Sequence, residues 1–118
     1  MPRFVVLQHD HPDRLHWDFM LEAGETLATW ALELPPAYGQ TIPATALADH
    51  RRAYLDYEGE ISGGRGTVAR WDAGTYELVS RHVDAWTVRL HGEKLVGALR
   101  LERQPESGDA WHWRLVSE

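Results

Sequence analysis

The stretch "HWDFMLE", residues 16–22, alternates between two kinds of side chain and decides the fold class. Its apolar positions share one face of an extended chain: Trp17, Phe19 and Leu21. The opposite face carries His16, Asp18, Met20 and Glu22. A period of two residues is typical of a half-buried β-strand. Since the solvent face of a strand usually carries Lys, Thr or Ser, a histidine beside an aspartate marks this strand as a candidate functional site.

Strand patterns extend along the chain from this stretch. Apolar or alternating segments occupy residues 3–9, 16–23, 26–34, 67–71, 75–81, 85–91, 94–103 and 110–116. The sequence DAG at 72–74 predicts a hairpin turn between two of them, and residues 104–109 predict a loop. Prolines and glycines predict a loop over 35–47, with a short helix near its end, and a glycine-rich loop over 58–66. About eight short strands separated by turns predict a mainly β, antiparallel barrel or sandwich.

The composition limits the class of protein. The chain has 118 residues, 43% hydrophobic and 25% charged, which predicts a single domain over residues 1–118. Cysteine is absent, so disulfides and thiolate metal sites are excluded. No segment resembles a signal peptide or the ~20 apolar residues of a membrane span, so we expect a cytoplasmic protein with no membrane partner. A net charge of −6 opposes non-specific binding to nucleic acid but allows a local basic groove.

Histidines and aspartates interleave near the N-terminus. The histidines are His9, His11 and His16, and Asp18 shares a strand face with His16. If strand 3–9 pairs with strand 16–23, either His9 or His11 lies beside them. Two imidazoles and a carboxylate form a ligand set for a divalent transition metal, in which imidazole suits zinc or iron and carboxylate suits manganese or magnesium. A surface salt pair is the alternative interpretation.

A second group of chemically useful side chains occurs in ADHRRAY, residues 48–54. His50 can serve as acid, base or ligand, and the adjacent Arg51 and Arg52 can clamp a phosphate. The loop SGGRG, residues 62–66, lacks the Gly-Lys-Ser/Thr ending of a Walker loop but can bring Arg65 to an anion. A solvated loop with incidental charges is the alternative for the first segment, and a tight turn is the alternative for the second.

The order of several segments resembles a known family. QHDHPDRLHWDFMLE (8–22) is similar to the start of the 3′-phosphoesterase domain of bacterial DNA ligase D, which works in non-homologous end joining and typically shows HYDFRLE. Four further segments resemble that family in the same order: TWALELPP (29–36), DHRRAYLDYEGEI (49–61), GTVARWDAGTYE (66–77) and LHGEKLVGALRLER (90–103). The resemblance covers nearly the whole chain. It implies a small antiparallel β-barrel with short flanking helices or loops.

The resemblance also implies an activity. Family enzymes use manganese to remove a 3′-phosphate or a 3′-ribonucleoside from nucleic-acid ends, so we expect Mn²⁺, with another divalent ion such as Zn²⁺ as the alternative. The implied partners are 3′ ends of DNA or of an RNA/DNA primer–template, with ligase and polymerase as separate proteins. The polar face of "HWDFMLE" is then expected to form a metal-binding floor inside a barrel mouth.

The resemblance assigns roles to particular residues. The implied metal ligands are His9, His16 and Asp18, with His11 competing for the place of His9. The implied catalytic residues are His50 and Tyr54. The arginines expected to bind substrate are Arg14, Arg51, Arg52 and Arg65.

Three positions depart from the family pattern. Met20 stands where the family has an arginine two residues after the metal-binding aspartate, and Leu34 and Ile42 stand at a family lysine and arginine. Methionine cannot bind a phosphate bidentately as arginine does, so charge stabilisation of a transferring phosphoryl group is weakened. The alternative function is therefore a catalytically impaired metal-binding module that binds a partner or a nucleotide.

Overall fold

A computed structural model describes residues 1–105 and 108–118, so two residues of the predicted loop 104–109 lie outside the described residues. The strands are β1 (Arg3–Asp10), β2 (Leu15–Ala23), β3 (Thr26–Leu32), β4 (Ile42–Arg51), β5 (Gly59–Glu60), β6 (Thr67–His82), β7 (Ala85–Gly92), β8 (Val96–Arg103) and β9 (Ala110–Val116). A 3-10 helical turn, Arg52–Leu55, follows β4. In the described part of the chain, no helix has the length and apolar character needed to cross a membrane.

Eight of these strands close into an antiparallel barrel. Their order is β1-β2-β3-β4-β9-β8-β7-β6, and β6 pairs with β1 to close the ring. The short strand β5 pairs with the start of β6 at Thr67 and Val68. The predicted antiparallel barrel is confirmed, and its flanking elements are the 3-10 turn and loops.

Large apolar side chains fill the barrel interior. Phe19 and Leu21 on β2 are fully buried there, as the alternation of the sequence predicts. The Trp30 ring makes edge contacts with Trp86 and Trp111, at centroid distances of 5.6 and 5.5 Å. Because aromatic rings occupy the interior, the polar face of β2 points outward. The expectation of a metal-binding floor inside a barrel mouth is therefore wrong: that face lies on the outer wall.

A second apolar cluster lies on this outer wall. Its buried members are Val5, Leu7, Met20, Leu27, Leu55, Ile61 and Val68. Val5 and Leu7 alternate along β1 with the inner residues Phe4 and Val6, so both faces of β1 are covered. The outer cover is the segment 52–66, which contributes Leu55 and Ile61. This arrangement creates a groove between the barrel wall and segment 52–66.

The predicted hairpin turn at residues 72–74 is wrong, because residues 67–82 form one continuous strand. Asp72 and Gly74 are residue types that favour turns, but they have other structural roles in this strand. The buried Asp72 carboxylate accepts hydrogen bonds from the backbone N–H groups of residues 93–95, at 2.9–3.1 Å. A Cβ at Gly74 would lie 2.1 Å from a backbone carbonyl oxygen of β7. Asp72 thus holds the turn between β7 and β8, and Gly74 permits the close approach of β7.

The predicted loop over residues 35–47 is wrong in its last part. β4 begins at Ile42 and pairs with β3 on one edge and β9 on the other. Pro43 lies at the second residue of β4, before the pairing with β3 begins, so its missing N–H costs no ladder hydrogen bond to β3. The helical turn begins at Arg52, beyond the predicted position near residue 47, and β3 ends at Leu32 instead of residue 34.

Candidate metal centre and adjoining pocket

The pairing of β1 with β2 brings three candidate ligands together. His9 lies opposite His16, and Leu7 lies opposite Asp18. Residues that face each other in an antiparallel pair point to the same side of the sheet. One ligand atom from each of His9, His16 and Asp18 lies within 4.8 Å of the others. The strand register therefore builds the group, and the core residues on the opposite face fix that register.

The Asp18 carboxylate is the centre of this group and is only 3% exposed. Its Oδ2 lies 3.0 Å from Nδ1 of His9, and its Oδ1 lies 3.1 Å from Nε2 of His16. Burial raises the pKa of the Asp18 carboxyl, but the two neighbouring imidazoles outweigh burial and the pKa is lowered overall. In return, the Asp18 carboxylate raises the pKa of the His9 imidazole.

Each imidazole is oriented by a backbone carbonyl on its far side. Nε2 of His9 lies 2.7 Å from the carbonyl oxygen of Arg65, and Nδ1 of His16 lies 3.2 Å from that of Arg14. A ring nitrogen that donates its N–H to a carbonyl leaves the other nitrogen of a neutral imidazole with a lone pair. His9 therefore presents Nδ1, and His16 presents Nε2, toward the Asp18 carboxylate.

The donor atoms of this group fit a divalent metal ion. Oδ1 of Asp18 is buried and has no hydrogen bond of acceptable geometry among the described residues. A buried carboxylate oxygen without a partner is costly, which favours an additional ligand at this position. Two imidazole nitrogens and a carboxylate match the ligand preferences of Zn²⁺ and of Mn²⁺. The predicted ligand set is thus geometrically consistent, and the identity of the metal stays a prediction.

His11 lies beside the group but is used differently. Its ring centroid is 5.4 Å from that of His9 and 6.3 Å from that of His16. Its Nδ1 accepts a hydrogen bond of 3.0 Å from the backbone N–H of Asp13. The geometry therefore favours His9 as the first ligand, with His11 at the edge of the centre.

A cavity of about 290 Å³ adjoins the three ligands. The predicted catalytic residues His50 and Tyr54 both line it, together with His9 and Asp18. The His50 and Tyr54 rings lie 5.6 Å apart in an edge contact. Nδ1 of His50 lies 2.9 Å from the carbonyl oxygen of Ala48, so Nε2 remains for a ligand in the cavity. The structure thus places the four residues in one pocket.

The four predicted substrate-binding arginines separate into two pairs. Arg51 and Arg65 line the cavity. Within residues 1–105 and 108–118, Arg51 makes no ion pair or hydrogen bond through its side chain. Arg14 and Arg52 each lie against a glutamate outside the cavity, at 3.8 and 2.5 Å. The structure therefore brings Arg51 and Arg65 to the site and does not bring Arg14 and Arg52.

The cavity has an apolar floor that sequence reasoning missed. Leu7, Ile61 and Val68 line it together with Met20, which is 1% exposed. The uninterrupted apolar run of β1 was the available signal, since such a run indicates a strand that is buried on both faces.

The three departures from the family pattern do not lie together. Met20 is on the cavity floor. Ile42 is fully buried inside the barrel, and Leu34 is exposed and does not line the cavity. Of these three positions, Met20 is therefore the one that changes the chemistry of the pocket.

Comparison with known proteins identifies the family of this chain. A family model described as the DNA ligase D 3′-phosphoesterase domain matches residues 7–103. The multifunctional non-homologous end joining DNA repair protein LigD of Mycobacterium tuberculosis is 37% identical over 117 residues, covering 92% of this chain. The multifunctional non-homologous end joining protein LigD of Pseudomonas aeruginosa is 35% identical over 127 residues, covering 97% of this chain.

This chain corresponds to a small part of those relatives, since the matches cover 15% of the length of each. The family model spans most of the barrel, from the middle of β1 to the end of β8. The chain belongs to the DNA ligase D 3′-phosphoesterase domain family.

Proposed function

We propose that this chain is a divalent-metal-dependent phosphoesterase that acts on nucleic-acid 3′ ends, removing a terminal 3′-phosphate or 3′-ribonucleoside. The observation that carries the proposal is the convergence of Nδ1 of His9 and Nε2 of His16 on a buried Asp18 carboxylate beside a cavity. Family membership supports a role in processing DNA ends. Mn²⁺ is the proposed ion and Zn²⁺ the alternative. Ligase and polymerase steps lie outside the chemistry that we propose for residues 1–118.

The residues around the cavity have distinct tasks in this proposal. A bound divalent cation supplies Lewis acidity toward a phosphate oxygen. His50 holds or releases a proton at Nε2, because Nδ1 faces a backbone carbonyl. The Tyr54 hydroxyl, which has no hydrogen-bond partner among the described residues, donates to a phosphate oxygen. Arg51 contributes a positive charge that makes no ion pair within the described residues.

A direct test measures phosphate release from a primer–template whose primer ends in a 3′-phosphate, with and without Mn²⁺. We expect release that depends on Mn²⁺ and is abolished in His16→Ala. His112→Ala is the matched control, because His112 is an exposed histidine of β9 that does not line the cavity. Equal release by both variants, or release unaffected by removal of divalent ions, would contradict the proposal.

The apolar side chain of Met20 favours a second candidate, a metal-binding module with impaired catalysis that binds a partner or a nucleotide. An apolar floor gives a phosphate dianion no charge-assisted hydrogen bond at this position. Tight Mn²⁺ binding that is lost in His16→Ala, with no release from 3′-phosphate or 3′-ribonucleoside ends, would support this candidate over the enzyme.

A further inference from the structure

A second cavity, of about 200 Å³, lies next to the first on the side of segment 52–66. The two cavities share three lining residues: Arg51, Tyr54 and Ile61. The second cavity is completed by Ala53, Tyr57, Glu60 and Ser62, none of which the proposed reaction uses. The two cavities are therefore adjacent, and Arg51 and Tyr54 lie at their boundary.

Tyr57 presents an anchored aromatic ring to this second cavity. Its hydroxyl donates a hydrogen bond to the backbone carbonyl of Glu60, which fixes the ring from one end. The ring meets that of Tyr54 edge to face, at a centroid distance of 5.8 Å and an interplanar angle of 86°. Tyr57 nevertheless remains 37% exposed. An exposed ring with a fixed orientation is a stacking surface, and single-stranded nucleic acids bind by stacking bases on such rings.

The charges of the second cavity favour a neutral base over a phosphate. The acidic residue Glu60 is part of the lining, and so is Ser62, whose hydroxyl oxygen lies 3.5 Å from a guanidinium nitrogen of Arg65. Arg51 lines both cavities, and its side chain makes no ion pair within the described residues. A phosphate between two nucleotides suits the position of Arg51, and a base with exposed polar edges suits the region of Tyr57 and Glu60.

We propose that the second cavity binds the unstacked base of the nucleotide adjacent to the reacting 3′ end, with the base on the Tyr57 ring and the linking phosphate at Arg51. This inference rests on the proposed function, since it takes the first cavity as the place of the 3′ terminus. Stacking is tolerant of base identity and of the sugar, so the subsite accepts both DNA and RNA.

The test uses a short single strand that ends in a 3′-phosphate and carries 2-aminopurine at the second nucleotide from that end. Binding is followed in EDTA, where no turnover occurs, by the quenching of 2-aminopurine fluorescence on stacking. We expect quenching by the wild-type protein and by Tyr57→Phe, which keeps the ring. Tyr57→Leu is expected to lose the quenching and to bind at least about fivefold more weakly. The DNA and RNA forms of the strand are expected to behave alike.

Tyr38→Leu is the matched control, because Tyr38 is also exposed and also donates its hydroxyl to a backbone carbonyl, that of Lys94. We expect it to bind the strand as the wild-type protein does. Quenching that persists in Tyr57→Leu, equal losses in Tyr57→Leu and Tyr38→Leu, or no binding by the wild-type protein at millimolar concentration would each overturn the inference.

Hydrolysis of bis(p-nitrophenyl) phosphate in Mn²⁺ separates this inference from the proposed function. This small diester reaches the first cavity without needing the second, so its hydrolysis by the wild-type protein tests the first cavity alone. Hydrolysis without Tyr57-dependent quenching leaves the enzyme proposal intact and overturns the subsite. Quenching without hydrolysis of this diester or of a 3′-phosphate end supports base binding at the subsite and counts against the enzyme.

Discussion

Two buried aspartates show two uses of the same side chain in this barrel. Asp72 and Asp18 are each 3% exposed. Both oxygens of Asp72 accept hydrogen bonds from backbone N–H groups of residues 93–95. Asp18 faces two imidazoles, and its Oδ1 has no hydrogen bond within the described chain. A buried carboxylate whose oxygens are satisfied by the backbone holds the fold, whereas one with an unsatisfied oxygen is available to a ligand.

The two faces of β2 show the same distinction between a role in stability and a role in ligand binding. The inner face, with Phe19 and Leu21, packs into the aromatic interior. The outer face, with Asp18 and Met20, meets a cavity. One strand therefore serves stability on one side and chemistry on the other, and substitutions on the two sides should have different consequences.

The largest expected effect is on stability, from Asp72→Ala. It leaves three backbone N–H groups of the β7–β8 turn without their acceptor, and each lost partner costs about 1–3 kcal/mol. We expect the free energy of unfolding to fall by at least about 3 kcal/mol. Asp72→Asn, which keeps one acceptor oxygen, should lose less. Urea denaturation measures both, and an unchanged midpoint for Asp72→Ala would refute the structural role.

Asp18→Asn, in contrast, is expected to weaken metal binding strongly and to lower stability less. It removes the charge and one acceptor oxygen at the centre of the ligand group but leaves no backbone N–H unpaired. We expect Mn²⁺ affinity to fall by more than about 100-fold, beyond the range typical of a lost hydrogen bond to a metal-binding histidine. In the absence of metal, Asp18→Asn should lower the free energy of unfolding by less than Asp72→Ala does. Titration calorimetry and denaturation measure the two quantities, and metal affinity retained in Asp18→Asn would remove the distinction between the aspartates.

Gly66→Ala tests the orientation of His9 by the backbone. Gly66 has a φ of +84°, and a Cβ there would lie 1.9 Å from the carbonyl oxygen of Asp10, so the backbone that carries the adjacent Arg65 carbonyl must shift relative to His9. We expect Mn²⁺ affinity to fall by roughly 10–100-fold. Gly64→Ala is the control, because Gly64 has a φ of +69° but open space around its Cβ position. Equal Mn²⁺ affinities in the two variants would show that the carbonyl of Arg65 does not contribute to metal binding.

The smallest stability effect is expected from Met20→Leu, on the cavity floor. Met20→Leu conserves volume and should change the free energy of unfolding by less than about 1.5 kcal/mol. Met20→Arg should lower stability further, because it places a guanidinium on a buried floor, but it should strengthen the binding of inorganic phosphate by roughly tenfold. Calorimetric titration with phosphate distinguishes the two variants. Equal phosphate affinities would mean that the neutral floor does not limit phosphate binding.

Alternation in the sequence predicted antiparallel strands in a barrel or a sandwich and placed His16 and Asp18 on one strand face, whereas the resemblance to a known family supplied the barrel and the ligand His9. The period of two in β2 separated Phe19 from Asp18, and the spacing of the histidines placed His9 or His11 near them. The choice between these histidines needed the strand register, which depends on contacts across the sheet. The resemblance to a known family supplied the roles of His50 and Tyr54, which alternation cannot provide.

Other features depend on partners that are distant in the sequence. Asp72 and Gly74 have the composition of a turn, and their true roles appear only when β7 lies beside them. The sequence around Arg52 does not indicate an ion pair, but the fold brings its guanidinium to the carboxylate of Glu22 on β2. β4 carries a proline and helix-favouring alanines, so its strand character comes from pairing with β3 and β9 and not from its own residues.

The central claim is that the outer face of β1 and β2 holds a divalent metal through His9, His16 and Asp18. The most direct measurement is a Mn²⁺ titration of His9→Ala beside His11→Ala, two neighbouring histidines with rings 5.4 Å apart. We predict that His9→Ala loses Mn²⁺ affinity by more than about 100-fold and that His11→Ala stays within a few-fold of the wild-type protein. Equal affinities in the two variants, or a greater loss in His11→Ala, would contradict this account of the metal centre.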